Sequence, residues 1–195
     1  ILKDKKIIGS IALSDQIRES SKHTIDKLKE MNIEVWMLTG DNEKTAKYVS
    51  DKLGLDGYIS GVLPHQKQDK IKEFKDNNEF VAMTGDGIND APALANADIG
   101  IAIGSGTDVA AETADIILVE SDPKDVLNLI NFGKKTYNKI IQNLFWATGY
   151  NVIAIPLAAG VLAGYGIMIS PAVGAILMSL STVIVAINAK LLKMT

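Results

Sequence analysis

The sequence predicts an α/β fold with a doubly wound parallel sheet, followed by two transmembrane helices. Over the first 125 residues, short apolar runs alternate with polar, amphipathic stretches, which is typical of parallel strands joined by helices. The second observation is the charge distribution: of 20 basic and 23 acidic residues, only Lys190 and Lys193 lie beyond Lys139. The uncharged stretch 140–189 is long enough for two helices that cross a bilayer.

The predicted elements follow from this alternation. Gly54 is expected to end the second helix, because glycine readily adopts the left-handed conformation of a helix C-cap. Pro64 and Pro123 are placed to start helices. The apolar runs predict strands at 7–13, 33–38, 58–63, 80–83, 99–103 and 116–119. The helical patterns begin at a Ser20 or Ser21 N-cap, at Glu43, at Pro64 and at Pro123.

Composition excludes several classes of protein. The net charge of −3 gives no basis for a nucleic-acid partner, and the absence of cysteine excludes disulfides and thiolate metal sites within this chain. The chain begins Ile-Leu-Lys-Asp, without an initiator methionine or a signal peptide. We therefore expect it to be a piece of a longer protein.

The stretch 80–90 carries the strongest chemical signal. A short apolar run leads into Thr-Gly-Asp-Gly, a predicted turn that presents Asp86, Asn89 and Asp90 just beyond the carboxyl end of a buried strand. Two crowded carboxylates repel unless a cation lies between them, and such oxygen ligands suit Mg²⁺. The alternative is an ordinary polar turn, since Gly-Asp and Asn-Asp pairs are common turn formers.

Two further groups are predicted to meet at the same edge of the sheet. Thr39-Gly40-Asp41 follows one strand, and Lys67 follows another strand and Pro64. A hydroxyl, an ammonium group and a magnesium carboxylate site are what a transferring phosphoryl group needs. Taken singly, Thr39 is also compatible with a plain turn residue, and Lys67 with a solvated helix face.

These motifs resemble the phosphorylation domain of P-type ATPases, which has the haloacid dehalogenase-like fold. The matching segments are 39–42, 62–67 and 84–94, and the resemblance covers essentially the whole chain. It implies ATP as substrate and Mg²⁺ at Asp86, with Asp90 supporting the site. It also implies roles for five other positions: Thr39 and Asn89 bind phosphoryl oxygens, Lys67 neutralises them, and Asp41 lies with Asp15 at the hinge to a nucleotide-binding domain.

The nucleophile that this family uses is not in the sequence. It is the aspartate of an Asp-Lys-Thr-Gly-Thr motif, and neither that motif nor the nucleotide-binding domain is present. The resemblance therefore implies a C-terminal portion that is inactive alone and needs the N-terminal part of the same pump. We expect an incomplete phosphorylation domain over 1–125 that folds poorly because its central strand is missing. The remaining expected parts are a linking helix over 126–139 and transmembrane helices over 140–164 and 171–192.

The lysines that flank the uncharged stretch predict its orientation. Lys134, Lys135 and Lys139 precede the first span, while Lys190 and Lys193 follow the second. By the positive-inside rule both ends are cytoplasmic, so we expect a multi-pass protein of the cell membrane whose soluble domain and C-terminus are cytoplasmic.

Polar residues recur near the middle of the predicted spans. Tyr150, Asn151 and Met178 each lie roughly 17 Å from the cytoplasmic side, and Thr182 shares a helix face with Met178. Mid-membrane Asn is costly unless it has a function. Met as a gap filler, and Thr bonded to its own backbone, are the structural alternatives.

This set resembles the ion site of the copper- and silver-transporting branch of the heavy-metal ATPases, which bacteria and archaea use to export the ion. The sequence of residues 178–182 resembles that of the subgroup with a Cys-Pro-His entry motif. Cu⁺, Ag⁺ and Cu²⁺ therefore all remain open as transported ions. The lysine and aspartate expected of the zinc branch are absent from these helices. A membrane-anchored phosphatase of the same fold, a non-enzymatic regulatory fragment and a pump for another cation remain as alternatives.

Overall fold

The computed structural model describes residues 1–3, 6–9, 16–86, 89–104, 112–120, 122–166 and 170–192. The chain divides into two compact units, Ile1–Leu127 and Asn128–Thr195. The first unit contains seven described strands: β1 (Leu2–Lys3), β2 (Lys6–Ile7), β3 (Trp36–Leu38), β4 (Gly57–Ile59), β5 (Ala82–Gly85), β6 (Ile99–Ile103) and β7 (Ile116–Leu118). Its described helices are α1 (Glu19–Glu30), α2 (Glu43–Leu53), α3 (Pro64–Asp76) and α4 (Ala91–Asn96).

The predicted parallel α/β fold is confirmed, but the strands form separate sheets. Strand β3 pairs in parallel with β4, and β5, β6 and β7 form a second parallel sheet in that order. Within the described ranges, β3 and β5 each keep one edge without a partner strand. Most of the predicted strand 7–13, residues 10–13, lies outside the described residues. In the described part of the N-terminus, β1 and β2 form an antiparallel pair.

Three aspartates hold the starts of neighbouring parallel strands together. Each stands immediately before a strand; its carboxylate accepts a hydrogen bond from the backbone N–H of a residue near the start of the neighbouring strand, and its own N–H donates to that residue's carbonyl. We call these the reciprocal aspartate pairs. They are Asp56 with Val35, Asp98 with Val81 and Asp115 with Gly100, with N···O distances of 2.8–3.0 Å. Each pair is an independent constraint on strand register.

The core of the first unit lies between its helices and the second sheet. Leu94 and Ile101 are almost completely buried, and Ile71 of α3 and Met83 of β5 join Leu94 in one cluster. A Cβ atom at Gly100 would lie 2.7 Å from the carbonyl oxygen of Leu94, so only glycine lets α4 pack this closely on β6.

The helix boundaries show which sequence signals were reliable. Helix α2 begins at the predicted residue, where the side chain of Asn42 caps it by accepting from Thr45 N–H, and Gly54 ends it with φ of +71°. The predicted serine cap of α1 is wrong. The N-cap is Arg18, which makes no side-chain cap bond, and the Ser20 hydroxyl donates to Asp122 at 2.7 Å. The Ser20 hydroxyl is thus bonded to a residue that is distant in sequence and does not cap the helix.

The predicted linking helix and first span form one continuous helix. Helix α5 runs from Lys124 to Ala158, through Pro156, and ends six residues before the predicted boundary at 164. Gly160, with φ of +83°, lies in the turn that follows. Helix α6 covers Pro171–Lys190. Among the described residues, one stretch, Ala172–Lys190, is long and apolar enough to cross a membrane.

Candidate functional site

The strand that leads to the strongest motif is longer than predicted at its carboxyl end. The sequence predicted a strand over 80–83 and a turn beginning at Thr84, whereas β5 covers Ala82–Gly85 because Thr84 and Gly85 pair with Ile101 and Ala102 of β6. The turn therefore begins at Asp86, which is exposed. Gly87 and Ile88 lie outside the described residues.

Glycine is required at position 85 because the side chain of Asp90 packs directly against its backbone. A Cβ atom built at Gly85 would lie 2.5 Å from Asp90 Oδ2 and 2.8 Å from its Cβ, closer than nonbonded atoms approach. The backbone of β5 thus forms one wall of the position that the Asp90 carboxylate occupies. The other end of Asp90 starts α4, since its carbonyl accepts from Leu94 N–H at 2.8 Å.

Lys67 and Asp90 form a half-enclosed ion pair. Lys67 Nζ lies 2.6 Å from Asp90 Oδ1, and the two side chains are only 16% and 12% exposed. The pair joins the first turn of α3 to the end of β5, although 23 residues separate them in sequence. An ammonium group and a carboxylate at this depth are screened less by water than the surface pairs of the chain. The structure therefore brings together two of the predicted catalytic residues.

Thr39 lies in a loop that is fastened by its backbone. Thr39 N–H donates to the Ile59 carbonyl and the Thr39 carbonyl accepts from Val62 N–H, both at 3.0 Å. The Thr39 hydroxyl donates to Asp41 Oδ2 and accepts from Asp41 N–H, both at 3.1 Å. Through Val62 the loop is tied to the segment that opens α3 and carries Lys67. Among the described residues, no hydrogen bond joins the Thr39–Asp41 pair directly to Lys67 or Asp90.

Glu43 is a residue that the sequence reasoning missed. It is the first residue of α2, and its two carboxylate oxygens accept hydrogen bonds from Tyr58 and Ser60 at the end of β4. The Ser60 and Tyr58 hydroxyls lower the pKa of Glu43, and the Glu43 carboxylate raises the pKa of Tyr58. Residues 58 and 60 share one side of a strand, which is the signal that could have indicated this contact. Glu43 holds α2, and hence the end of the Thr39 loop, on β4.

The other predicted site residues are exposed or lie outside the described ranges, and one of them is the predicted magnesium ligand. Asp86 and Asn89 are exposed, Gly40 and Asp41 lie in the exposed loop, and Asp15 lies outside the described residues. In the part of the chain that is described, no three histidine or acidic side chains group as a metal cage. Mg²⁺ needs only one or two carboxylates because it retains several waters. The exposed carboxylate of Asp86 fits that requirement, whereas the buried carboxylate of Asp90 is paired with Lys67.

In the second unit, each candidate polar ligand of the transported ion donates its own proton to a backbone carbonyl. Asn151 Nδ2 donates to Ala147 at 2.9 Å and the Thr182 hydroxyl to Met178 at 3.1 Å, both within their own helix. The Tyr150 hydroxyl instead reaches across to the Gly174 carbonyl of α6 at 3.2 Å. These bonds leave oxygen lone pairs on all three side chains free to face a cation.

The candidate ligands of α6 lie beside its contact with α5. Gly174 and Ser181, seven residues apart, are half-buried on the side that meets Tyr150, and Ser181 lines a crevice of about 340 Å³ with Tyr150 and Trp146. Met178 is 64% exposed and Thr182 is also exposed. The structure thus presents Met178 and Thr182 away from this crevice.

Comparisons with known proteins agree with the geometry. The family model of the haloacid dehalogenase-like hydrolases matches residues 1–98. The chain is 62% identical, over 99% of its length, to the copper-exporting P-type ATPase B of Archaeoglobus fulgidus, and 54% identical, over 96% of its length, to that of Enterococcus hirae. It spans only 28% and 25% of these relatives.

The chain is also similar to a solved structure. A zinc-transporting PIB-type ATPase in the E2·Pi state superimposes with a TM-score of 0.83 at 34% identity, over 97% of this chain and 30% of that one. The match includes both units. The chain therefore belongs to the haloacid dehalogenase-like hydrolase family, within which its similarity is to the copper-exporting P-type ATPases.

Proposed function

We propose that this chain is part of an ATP-driven copper pump that exports the ion across the cell membrane. In the proposed cycle an aspartate carboxylate outside this chain attacks the γ-phosphorus of ATP, the bond to ADP breaks, and an aspartyl phosphate forms. Water later hydrolyses that phosphate. The chain supplies the groups that hold the phosphoryl group, together with part of the ion path.

The Lys67–Asp90 ion pair is the observation that carries this proposal. It fixes one cation at the carboxyl end of β5, where ligands bind in open parallel sheets. The same chain contains a helical stretch that is long and apolar enough to cross a membrane. A soluble phosphatase has no need of the second feature. The relatives that match almost the whole chain are named copper-exporting P-type ATPases.

Each group has a separate task in the proposed site. The Lys67 ammonium, held by Asp90, attracts the oxygens of the phosphoryl group and offsets the charge that develops during transfer. The hydroxyl of Thr39 and the amide of Asn89 hydrogen-bond the remaining oxygens. Asp86 would hold Mg²⁺, which when bound neutralises phosphate charge. Asp41 and Asp15 are assigned to the hinge with the nucleotide-binding domain.

The transported ion is assigned to the membrane residues. Tyr150, Asn151 and Thr182 offer oxygen lone pairs, and Met178 offers a thioether, which favours a soft ion such as Cu⁺ or Ag⁺. Cu²⁺ is compatible with the oxygen donors. Because Met178 and Thr182 are exposed, the site needs further ligands from helices outside this chain. Both membrane helices are proposed to have their lysine-bearing ends in the cytoplasm.

The experiment that tests this function is phosphorylation of the complete parent protein by labelled ATP. The reaction is quenched in acid after incubation with Cu⁺, Ag⁺, Cu²⁺, Zn²⁺ or no metal, and the acid-stable adduct is counted. We expect an adduct that forms only with copper or silver. Asp86→Asn should abolish it, whereas Lys124→Gln, at the exposed start of α5, should leave it unchanged.

Other results would assign other functions. A response to Zn²⁺ alone would keep the ATPase and contradict the assignment of Tyr150, Asn151 and Met178 to copper; the zinc-transporting structural relative makes this arm necessary. Labelling or phosphatase activity that ignores every metal would contradict a copper pump and favour a membrane-anchored phosphatase.

A further inference from the structure

Asn188 stands at the centre of a polar contact between the two membrane helices. Its Oδ1 accepts from Lys139 Nζ at 2.7 Å, and its Nδ2 donates to Asn143 Oδ1 at 2.8 Å. The side-chain oxygen of Gln142, Oε1, lies 3.4 Å from the same nitrogen. Lys139, Asn143 and Asn188 are half-buried. Three neighbouring side chains of α5 thus converge on one amide of α6.

The chemistry of this cluster permits only one orientation of Asn188. An ammonium group has donors and no acceptor, so the side of the amide that meets Lys139 must be its carbonyl. The amide nitrogen of Asn188 then has to face the side-chain oxygens of Asn143 and Gln142. Flipping the amide would set donor against donor and acceptor against acceptor. An amide side chain of this length is therefore needed at position 188, because aspartate lacks the donor and leucine lacks both groups.

We propose that Asn188 is a positioning residue for ion transport, which fixes the rotation of α6 about its axis through Lys139 and Asn143. This rests on the proposed function, since it concerns the ion site of that pump. Asn188 follows Gly174 by fourteen residues and Ser181 by seven, so all three lie on the side of α6 that meets α5.

The rotation matters because the candidate ligands lie at the edge of that side. Met178 is displaced from Gly174 by about 40° around the helix, and Thr182 by about 80°. A helix held at position 188 keeps both at a fixed angle to Tyr150 and Asn151 on α5. If α6 were free to turn by a few tens of degrees, the thioether would move relative to those oxygen donors. The ion would then lose a ligand while the phosphoryl site stayed intact.

The test is the metal dependence of ATP-driven phosphorylation in the complete pump. We expect Asn188→Leu to raise the metal concentration for half-maximal phosphorylation by about tenfold, the loss typical when groups that orient metal ligands are removed. Asn188→Asp, which keeps the Lys139 contact, should raise it less. The double variant Lys139→Met/Asn188→Leu should be no worse than Asn188→Leu alone, because the partners act as a unit. Asn138→Leu, at an exposed neighbour of Lys139, is the matched control.

The form of the defect decides between positioning and mere structural support. A variant that only folds less well has a lower maximal signal at an unchanged half-maximal metal concentration. That result, or a wild-type metal dependence of Asn188→Leu, would overturn the inference. Distances between spin labels at Lys134→Cys and Leu192→Cys, in a pump without other cysteines, provide a second readout. Asn188→Leu should broaden the distribution of label distances even if phosphorylation of the parent pump does not depend on copper. An unchanged distribution would also contradict the proposal that Asn188 fixes the rotation of α6.

Discussion

The two units of the chain fix their polar groups in different ways. In the first unit, Lys67 and Asp90 satisfy each other at 2.6 Å, and Gly85 gives Asp90 the only room it has. In the second unit, Asn151 and Thr182 bond to their own helix, and Met178 is exposed. Two candidate catalytic residues thus contact each other within the first unit, whereas Met178 and Thr182, two candidate ion ligands, are exposed.

This difference predicts how sensitive the residues of each unit are to substitution. At Gly85, an added Cβ atom would overlap Asp90 and disturb its ion pair with Lys67, because the position has no spare volume. Where a side chain bonds only to its own helix, removing it leaves the fold intact and subtracts a single donor. We therefore expect steep, all-or-none effects in the first unit and graded effects in the second.

The largest effect is expected at Gly85. In Gly85→Ala the new methyl group overlaps the Asp90 carboxylate and separates it from Lys67. We expect the complete pump to lose about 100-fold or more of its rate of aspartyl-phosphate formation, in line with removal of one electrostatic group from an active site. Rapid-quench phosphorylation measures this rate. Gly9→Ala is the control, because nothing lies within 4 Å of a Cβ at that position, and an equal loss in both variants would contradict the steric account.

Removal of the ammonium group should be next in size. Lys67→Met leaves the Asp90 carboxylate half-enclosed without a cation, and we expect a loss of about 3 kcal/mol in the free energy of unfolding of the first unit. Denaturant unfolding followed by Trp36 fluorescence reports it. Lys70→Met, whose exposed partner Glu73 lies on the same helix, should cost under about 1 kcal/mol. Equal costs would mean that the Lys67 pair is no better shielded than a surface pair.

A smaller, graded effect is expected at Met178. Met178→Ala should raise the copper concentration for half-maximal turnover by about tenfold and leave the affinity for ATP unchanged. Ile176→Ala, at an equally exposed position two residues away, controls for lost apolar surface. Turnover with the parent's dependence on every metal tried would remove Met178 from the ion site.

The smallest effect concerns acid stability. The Val81 N–H, and secondarily Lys75, hold the pKa of Asp98 below its ordinary value of 3.8. A carboxyl whose folded pKa is lowered stabilises the fold above its unfolded pKa, and this contribution is lost as the pH falls through the folded pKa. Asp98→Asn should therefore melt at a slightly lower temperature than the parent at pH 7, with the gap closing below about pH 4. A gap that stays constant down to pH 3 would contradict the assignment.

The sequence predicted the elements well wherever a local signal decided them. Asn42 and Gly54 bound α2, and the strand 99–103 has the predicted limits, because caps and a continuous apolar run act within a few residues. The end of β5 was predicted two residues early, since the glycine in Thr84-Gly85 was interpreted as a turn. Pairing with β6 outweighed that preference, and pairing is not visible in a single segment.

The predictions for the site have the same limit. Motif spacing placed Lys67 and Asp90 at one edge of the sheet, but not in contact with each other. Glu43 was not identified at all, because its partners Tyr58 and Ser60 are 15 and 17 residues away. In the second unit, residue type indicated Tyr150, yet its bond to Gly174 depends on how two helices meet. Contacts between elements are set by the packed fold, and pattern reasoning reaches only as far as one element.

The reciprocal aspartate pairs have a consequence for assembly. A slip of one residue between parallel strands would turn every apolar side chain of a strand to the wrong face, and each pair opposes such a slip with a carboxylate that has one backbone partner. One pair lies between β3 and β4, and two lie within the sheet of β5, β6 and β7. Each sheet can therefore reach its correct strand register independently of the other. In the proposed pump, any strand that joins these sheets would meet edges whose alignment is already correct.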